Sequence, residues 1–185
     1  MLKPRYKTGQ KALTPAQVDK LIASCINLED EALIRLAVAT GARRSDIVRI
    51  TEGNINFKDL YVEFHEKKKG DKIKRTYISA ATANTLQKWI NLKPKSKYLY
   101  PSKRGGHISD RTAYNKLQAN LQRAGLPNRP FHALRATAYK IAQARGWTIR
   151  QAAEHIGDSY RVAEEHYGAP STEEMRQRAQ EQPII

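Results

Sequence analysis

The sequence predicts a single α+β domain, mainly helical, with a small antiparallel β-sheet inserted among the helices. Three observations predict this class. The 185 residues are enough for one domain with a real core. Most of the chain carries apolar residues at helical spacing. Only the stretch from Tyr61 to Ile78 alternates in the manner of two strands joined by a turn.

The pattern of the first half of the sequence predicts an arm followed by helices. Residues 1–13 are basic and lack a periodic apolar pattern, so we interpret them as an N-terminal arm or linker. The stretch from Thr14 to Gln17 has a capping-box pattern with proline at the first helical position, which predicts a helix start. A second helix is predicted to end near Gly41, and the pattern is helical again from Arg44 to Ile50.

The inserted sheet is predicted as a hairpin. Residues 61–64 alternate, residues 75–78 are β-branched and aromatic, and residues 69–71 supply the turn between them. The tip of this hairpin is loaded with lysines, namely Lys67, Lys68, Lys69 and Lys72.

The second half returns to helices, beginning with Ala81 to Leu92. Residues 94–106 hold two prolines, two glycines and several basic residues, and we expect a loop that lies on phosphate. Two apolar stripes then predict two helices, one through Tyr114, Leu117 and Leu121 and one through Leu134, Ala138, Ile141 and Ala142. A capping box at Thr148 and a terminating Gly157 bound a short helix, and Ser159 caps a last short helix through Tyr167.

Charge narrows the function. Lysine and arginine total 33 against 18 acidic residues, a formal net charge of +15. This excess predicts a phosphate-binding surface, although a basic solvated face or an RNA-binding protein would have the same balance. Cys25 is the only cysteine, so the chain cannot form an intramolecular disulfide or a thiolate metal cluster, and we expect it to pack. We also expect a soluble, intracellular (cytoplasmic) protein without a signal peptide or membrane span.

A set of side chains suits metal-free chemistry on a phosphodiester. His132 and Arg135 lie three apart on a predicted helix, so they project from one face and can bind one phosphate. Arg43 adds a guanidinium group, the hairpin adds ammonium groups and Tyr167 adds a phenol nucleophile. Taken alone, each of these residues is more often an ordinary surface or packing residue than a catalytic one.

The order of these residues along the chain and the residues around them resemble the motifs of a known family. The stretch from Thr40 to Ile47 resembles the Thr-Gly-x-Arg-x-x-Glu-Leu box of the tyrosine recombinases, the phage-integrase family. Residues 132–137 resemble the His-x-Leu-Arg-His-Thr box, and residues 156–159 resemble Leu-Gly-His-Ser. Tyr167 follows Asp158 by nine residues, where the family's nucleophile follows its histidine. The resemblance runs from about residue 14 to residue 170, which we predict to be the catalytic domain.

The resemblance implies DNA cleavage and rejoining through a 3′-phosphotyrosyl intermediate, with no metal or cofactor. Tyr167 would attack the phosphodiester, Arg43 and Arg135 would stabilise transition-state charge, and His132 would act as acid or base. A hairpin lysine would protonate the departing 5′-oxygen. Lys68 fits the family's Lys-Thr-Gly turn best, and Lys67 and Lys69 stay open.

Two further positions carry expectations from the family. Asp46 stands at an acidic position and is expected to hold an arginine or lysine in place. Asp158 replaces a histidine or tryptophan that donates to phosphate, whereas a carboxylate only accepts. It would orient Arg43 or Arg135, stay protonated, or reduce activity. His155 and His166 are candidates to fill the gap, but the interpretation we favour for each is a structural or solvent-exposed role.

The expected partner is double-stranded DNA, bound by a dimer to tetramer of a recombinase or integrase from a mobile element or virus. The tail, residues 171–185, is expected to dock on a neighbouring protomer. Family members carry a DNA-binding domain ahead of the catalytic one, so we expect an excised fragment or a minimal enzyme. Two alternatives remain: a type IB topoisomerase-like activity and a catalytically impaired DNA-binding module of the same fold.

Overall fold

The computed structural model describes residues 11–66, 72–168 and 172–181. Within these ranges the chain is mainly helical with a small antiparallel sheet, so the predicted fold class is confirmed. The helices are α1 (Pro15–Ala23), α2 (Leu28–Thr40), α3 (Arg44–Arg49), α4 (Ala80–Leu92), α5 (Asp110–Arg123), α6 (Ala133–Ala144), α7 (Ile149–Ile156), α8 (Tyr160–Ala163) and α9 (Thr172–Glu181). The strands are β1 (Ile55–Asn56), β2 (Tyr61–Glu66) and β3 (Lys72–Tyr77).

Local capping chemistry sets several helix ends where the sequence predicts them. Thr14 and Gln17 exchange hydrogen bonds of 3.0 and 3.2 Å at the start of α1, which completes a capping box. Thr148 and Gln151 do the same at the start of α7. Gly41 and Gly157 follow α2 and α7 with φ of 59° and 78°, a conformation that glycine adopts without steric cost.

The sheet has three strands in the order β1-β2-β3. The antiparallel pairing of β2 with β3 confirms the predicted hairpin, with Phe64 opposite Lys74. The sequence does not predict β1, whose two residues pair Ile55 with Val62. The tip of the hairpin, residues 67–71, lies outside the described residues.

The two faces of the hairpin differ in burial. Phe64, Thr76 and Ile78 are buried on one face, whereas Ile73 and Tyr77 are exposed on the other. Because side chains alternate along a strand, Lys74 shares the buried face with Thr76. This lysine is therefore aimed at the helices instead of at solvent.

The end of the domain differs from the predicted single helix. Ser159 caps α8 by accepting a hydrogen bond from the backbone N–H of Val162, as predicted. The helix ends at Ala163, however, and a wider π-type turn spans Glu164–Gly168. This turn, which includes the backbone of Tyr167, packs against α6. Wider turns of this kind are frequent at functional sites.

Two hydrophobic clusters fill the interior of the described part of the chain. The larger cluster collects side chains from α1 to α5 and from the sheet, and the smaller one joins α6, α7 and α8. Cys25 packs partly against the larger cluster, and burial raises the pKa of its thiol to about 11, which disfavours the thiolate at neutral pH. This confirms the expected packing role.

A buried polar group ties α5 to α2. Nζ of Lys116 donates to Oδ1 of Asp30 at 2.7 Å, and the amide of Asn120 donates to the other oxygen of Asp30 at 2.9 Å. Asp30 is thus satisfied inside the core. Among the described residues, none of the helices is both long and apolar enough to span a bilayer.

Candidate active site

Arg135 lies at the centre of the predicted residues. It projects from the first turns of α6, and its side chain is only 3% exposed. Its Nη1 atom donates to the carbonyl of Gly41 at 2.5 Å, and its Nε atom donates to Oδ2 of Asp158 at 3.1 Å. The guanidinium group is therefore held from two sides by groups on other elements.

Arg43 approaches the same carboxylate from the start of α3. Its Nη2 atom lies 3.7 Å from Oδ1 of Asp158, and Nη2 of Arg135 lies 2.6 Å from that oxygen. The side chain of Arg43 is 54% exposed, so its charge faces solvent. The structure thus brings the two arginines together at one anionic oxygen.

Asp158 owes its place to the end of α7. Gly157 turns the chain, and the backbone N–H of Asp158 donates to the carbonyl of Ala153 at 3.0 Å. Its side chain is 10% exposed. Of the roles expected for Asp158, the arrangement supports an ion pair with Arg135.

Close packing beneath this contact explains its geometry. A Cβ atom added at Gly41 would come within 2.7 Å of Cγ2 of Ile156 and 3.2 Å of Cβ of Ala138. Since only glycine fits there, the end of α2 approaches α6 and α7 closely enough for the carbonyl of Gly41 to reach Arg135.

His132 immediately precedes α6 and keeps an exposed edge. Partial burial of its ring and then the positive charge of Arg135 lower its pKa. Asp158, Arg43 and His166 also act on it electrostatically, which places it within the same charged group. A lowered pKa favours the neutral imidazole at pH 7, a form able to accept a proton.

His155 does not join the site. Its Nε2 atom lies 2.7 Å from the carbonyl of Ala39, and its ring stacks edge-on against Trp147. Burial lowers its pKa. Of the two roles considered for His155, the structure supports the structural one, because Nε2 of its ring is bonded to a carbonyl of α2. His166 is exposed on the turn after α8.

For the predicted nucleophile the structure describes only the backbone, and it does not describe the predicted lysines of the hairpin tip. The backbone of Tyr167 lies in the turn that packs against α6, while its side chain is outside the description. Lys67, Lys68 and Lys69 lie outside the described residues, so the choice of general acid stays a prediction.

A cleft of about 520 Å³ opens beside Arg43 and Arg135. Asp46 lines it and accepts a hydrogen bond from the hydroxyl of Ser45 at 3.4 Å. The carboxylate that contacts the two arginines is Asp158 and not Asp46. Among the described residues, no group of three or more His, Cys, Asp or Glu side chains could hold a metal ion.

Lys74 is a cleft residue that the sequence reasoning missed. Its Nζ atom donates to the carbonyl of His155 at 2.6 Å, and the hydroxyl of Thr76 donates to the same carbonyl at 3.4 Å. This carbonyl belongs to the last turn of α7, where helix carbonyls lack partners within the helix. The two bonds fasten β3 to the helix end that carries Asp158. Period-two alternation with the buried Thr76 and Ile78 was the signal that could have found Lys74.

The sequence of this chain is similar to a known protein family and to named proteins. The model of the phage integrase family matches residues 11–169. Tyrosine recombinase XerA of Saccharolobus solfataricus is 26% identical over 139 residues, which cover 75% of this chain and 45% of that protein. Tyrosine recombinase XerC of Bifidobacterium longum is 24% identical over 188 residues, covering 92% of this chain and 52% of that protein. The chain thus spans about half the length of these relatives.

Solved structures agree on the fold. A XerA recombinase structure superposes with a TM-score of 0.84 at 18% identity, covering 94% of this chain and 66% of that one. XerH bound to its difH substrate superposes with a TM-score of 0.75, covering 90% of this chain and 52% of that one. The relatives bear the name tyrosine recombinase, which favours neither the topoisomerase-like nor the catalytically impaired alternative.

Proposed function

Because the chain belongs to the phage integrase family, we propose that residues 14–170 form the catalytic domain of a site-specific DNA recombinase or integrase. One observation carries the proposal: Arg43 and Arg135 converge on a single anionic oxygen, that of Asp158. Such a pair suits a phosphodiester, because each guanidinium can donate paired hydrogen bonds to nonbridging oxygens. The enzyme would act inside the cell on double-stranded DNA.

The proposed reaction needs no metal, since the charges come from side chains. Tyr167 attacks the phosphorus, forming a 3′-phosphotyrosyl bond and releasing a 5′-hydroxyl, and the ester retains the energy for rejoining. A phenol with an ordinary pKa of about 10 is a poor nucleophile at neutral pH and needs a proton acceptor. His132 suits this role because partial burial and Arg135 lower its pKa.

The roles of the arginines and lysines follow from their positive charges. Arg43 and Arg135 stabilise the negative charge that develops on the phosphate oxygens. Lys68, with Lys67 and Lys69 as alternatives, protonates the departing 5′-oxygen. The turn that holds the backbone of Tyr167 packs against α6, which carries Arg135, and this contact supports the nucleophile assignment.

The test is covalent trapping on a radiolabelled nicked duplex in EDTA, resolved on a denaturing gel. Wild type should form an adduct, and Tyr167→Phe should form none while binding DNA with nearly unchanged affinity. Tyr160→Phe is the matched control, because Tyr160 is a half-exposed tyrosine of α8. An adduct with Tyr167→Phe but not with Tyr160→Phe would make Tyr160 the nucleophile. No adduct from wild type on any duplex would leave a DNA-binding module.

We propose that DNA affinity is mostly electrostatic. The basic residues of the 94–106 loop, Lys95, Lys97, Lys103 and Arg104, are exposed, while the buried Leu99 and Tyr100 anchor the loop. Binding should weaken steeply with salt as counterions are released. A log-log salt plot with a slope near zero would contradict this.

We further propose that the tail, residues 171–185, docks on a neighbouring protomer in a dimer to tetramer on DNA. Helix α9 supports this, since its Met175 is 56% exposed. Deleting residues 171–185 should reduce cooperative assembly in a DNA mobility-shift titration while single-site cleavage persists. Normal assembly of the truncated protein would remove this role.

A further inference from the structure

We propose that Asp158 is an internal competitor for the scissile phosphate. Its carboxylate occupies the position between Arg43 and Arg135 that the phosphate requires, and it must turn away before cleavage. The inference rests on the function proposed above, because it concerns the same two arginines. It gives Asp158 a role in setting the affinity of the site for its substrate.

The geometry places the carboxylate at a shared anion position. Oδ1 of Asp158 lies 2.6 Å from Nη2 of Arg135 and 3.7 Å from Nη2 of Arg43. A nonbridging phosphate oxygen that bound both Nη2 atoms would lie where Oδ1 lies. Two anions this close repel each other, so the carboxylate and the phosphate exclude each other from the position.

The carboxylate fits Arg135 imperfectly. Nε of Arg135 has an aligned hydrogen bond to Oδ2, whereas the buried Nη2 has no aligned acceptor among the described residues despite its short distance to Oδ1. A buried donor without an aligned acceptor is unfavourable. A tetrahedral phosphate has more acceptor directions than a planar carboxylate, so it can satisfy this donor.

The exchange requires little movement of the protein. Arg135 keeps its 2.5 Å bond to the carbonyl of Gly41 when the carboxylate leaves. The backbone of Asp158 stays bonded to the carbonyl of Ala153. Rotation of the Asp158 side chain would therefore remove the shared anion from the two guanidinium groups without breaking either of these bonds.

The consequence is a lowered apparent affinity for phosphate. When an internal group occupies a site, ligand affinity falls by the fraction of molecules in which the site is open. Asp158→Asn keeps the shape and the acceptor oxygen but removes the charge, so it should raise phosphate affinity by about tenfold. Asp110→Asn is the matched control. Asp110 also pairs with an arginine, but its partner is Arg44, at 3.2 Å, and not Arg43 or Arg135.

The first measurement is thermal unfolding of the full chain in increasing inorganic phosphate. Half-saturation for Asp158→Asn should occur at about one tenth of the phosphate concentration that wild type and Asp110→Asn need. If Asp158→Asn does not fold, Asp158→His replaces it, since imidazole also removes the negative charge. Equal half-saturation for the Asp158 variant and wild type would overturn the proposal.

The second measurement is adduct formation against the concentration of a nicked duplex. Asp158→Asn should half-saturate at about one tenth of the wild-type concentration, with a plateau rate that does not fall. A lower plateau with unchanged half-saturation would instead make Asp158 a positioning residue and overturn competition. If wild type forms no adduct, the proposed function fails, while the phosphate titration still decides whether Asp158 competes.

Discussion

The two hydrophobic clusters of this domain differ in size and in the kind of side chain they use. The larger cluster contains 26 buried residues among those described, dominated by leucine, isoleucine and valine. The smaller cluster contains seven, of which five are alanines: Ala136, Ala138, Ala152, Ala153 and Ala163. Arg135 lies on α6, Asp158 follows α7, and the Glu164–Gly168 turn follows α8, so all three lie on or directly after helices of the smaller cluster.

This difference in side chains gives the two clusters different roles: the larger one stabilises the fold, and the smaller one positions the residues of the candidate site. Bulky aliphatic side chains bury more apolar surface, at about 25 cal/mol per Å², so the larger cluster should supply most of the folding free energy. Alanines bury little, but they let helices approach closely. The approach of Gly41 to Ile156 and Ala138 is what brings a backbone carbonyl and a carboxylate onto Arg135.

The largest effect should come from Arg135→Ala, which removes the buried charge on α6, a helix of the smaller cluster. Adduct formation should fall by about 10²–10³, as expected when a preorganised donor to the transition state is lost. The measurement is the rate of adduct formation at saturating nicked duplex. Arg44→Ala removes the same charge from an arginine that pairs with Asp110, and its rate should stay within about tenfold of wild type. Equal losses would mean that Arg135 contributes only general charge.

The second prediction compares the clusters directly by urea unfolding. Leu117→Ala, in the larger cluster, should cost about 2–5 kcal/mol, because the buried leucine leaves a cavity. Ala153→Gly, in the smaller cluster, should cost about 1 kcal/mol through helix propensity. If Ala153→Gly is as damaging as Leu117→Ala, the clusters do not divide stability as argued.

The sequence predicts those parts of the fold that local chemistry determines. Capping boxes at Thr14 and Thr148 and helix ends at Gly41 and Gly157 are confirmed because each depends on residues within one turn. Strand β1 escapes prediction because two residues carry no periodicity and are defined only by pairing with β2. The wide turn after α8 is also missed, since no residue type specifies it.

The candidate site also has a part that the sequence predicts and a part that it does not. Family boxes locate Arg43, Arg135 and His132, but their mutual geometry depends on contacts between distant segments. The bond from Arg135 to Gly41 spans 94 residues of sequence, and the bond to Asp158 spans 23. Lys74 is missed because the predicted lysine-rich tip ends at Lys72 and the predicted strand begins at Arg75, although alternation places Lys74 on the buried face.

The third prediction tests the close approach in the smaller cluster through Gly41→Ala. The left-handed φ of 59° costs a non-glycine residue about 1–2 kcal/mol, and the added Cβ would overlap Ile156. Gly146→Ala is the control, since its φ of 85° carries a similar backbone cost with no atom within 4 Å. Only Gly41→Ala should also slow adduct formation, because the shift would displace the carbonyl that holds Arg135. If both variants slow it equally, the close packing does not position the site.

The smallest expected effect is a pH dependence of stability at His155, which fastens α7 to α2. Burial lowers the pKa of His155 below its ordinary value of 6.5. The unfolded chain therefore binds a proton as pH falls below about 6.5, while the folded chain does not, so the free energy of unfolding decreases with falling pH. The decrease ends once pH passes below the folded pKa. His155→Gln can still donate a hydrogen bond to the carbonyl of Ala39 but cannot titrate. The urea midpoint of this variant should therefore fall less than that of wild type between pH 7 and pH 5, the range in which the lowered pKa of His155 acts. An identical pH dependence in both proteins would show that the imidazole of His155 has the same pKa folded and unfolded.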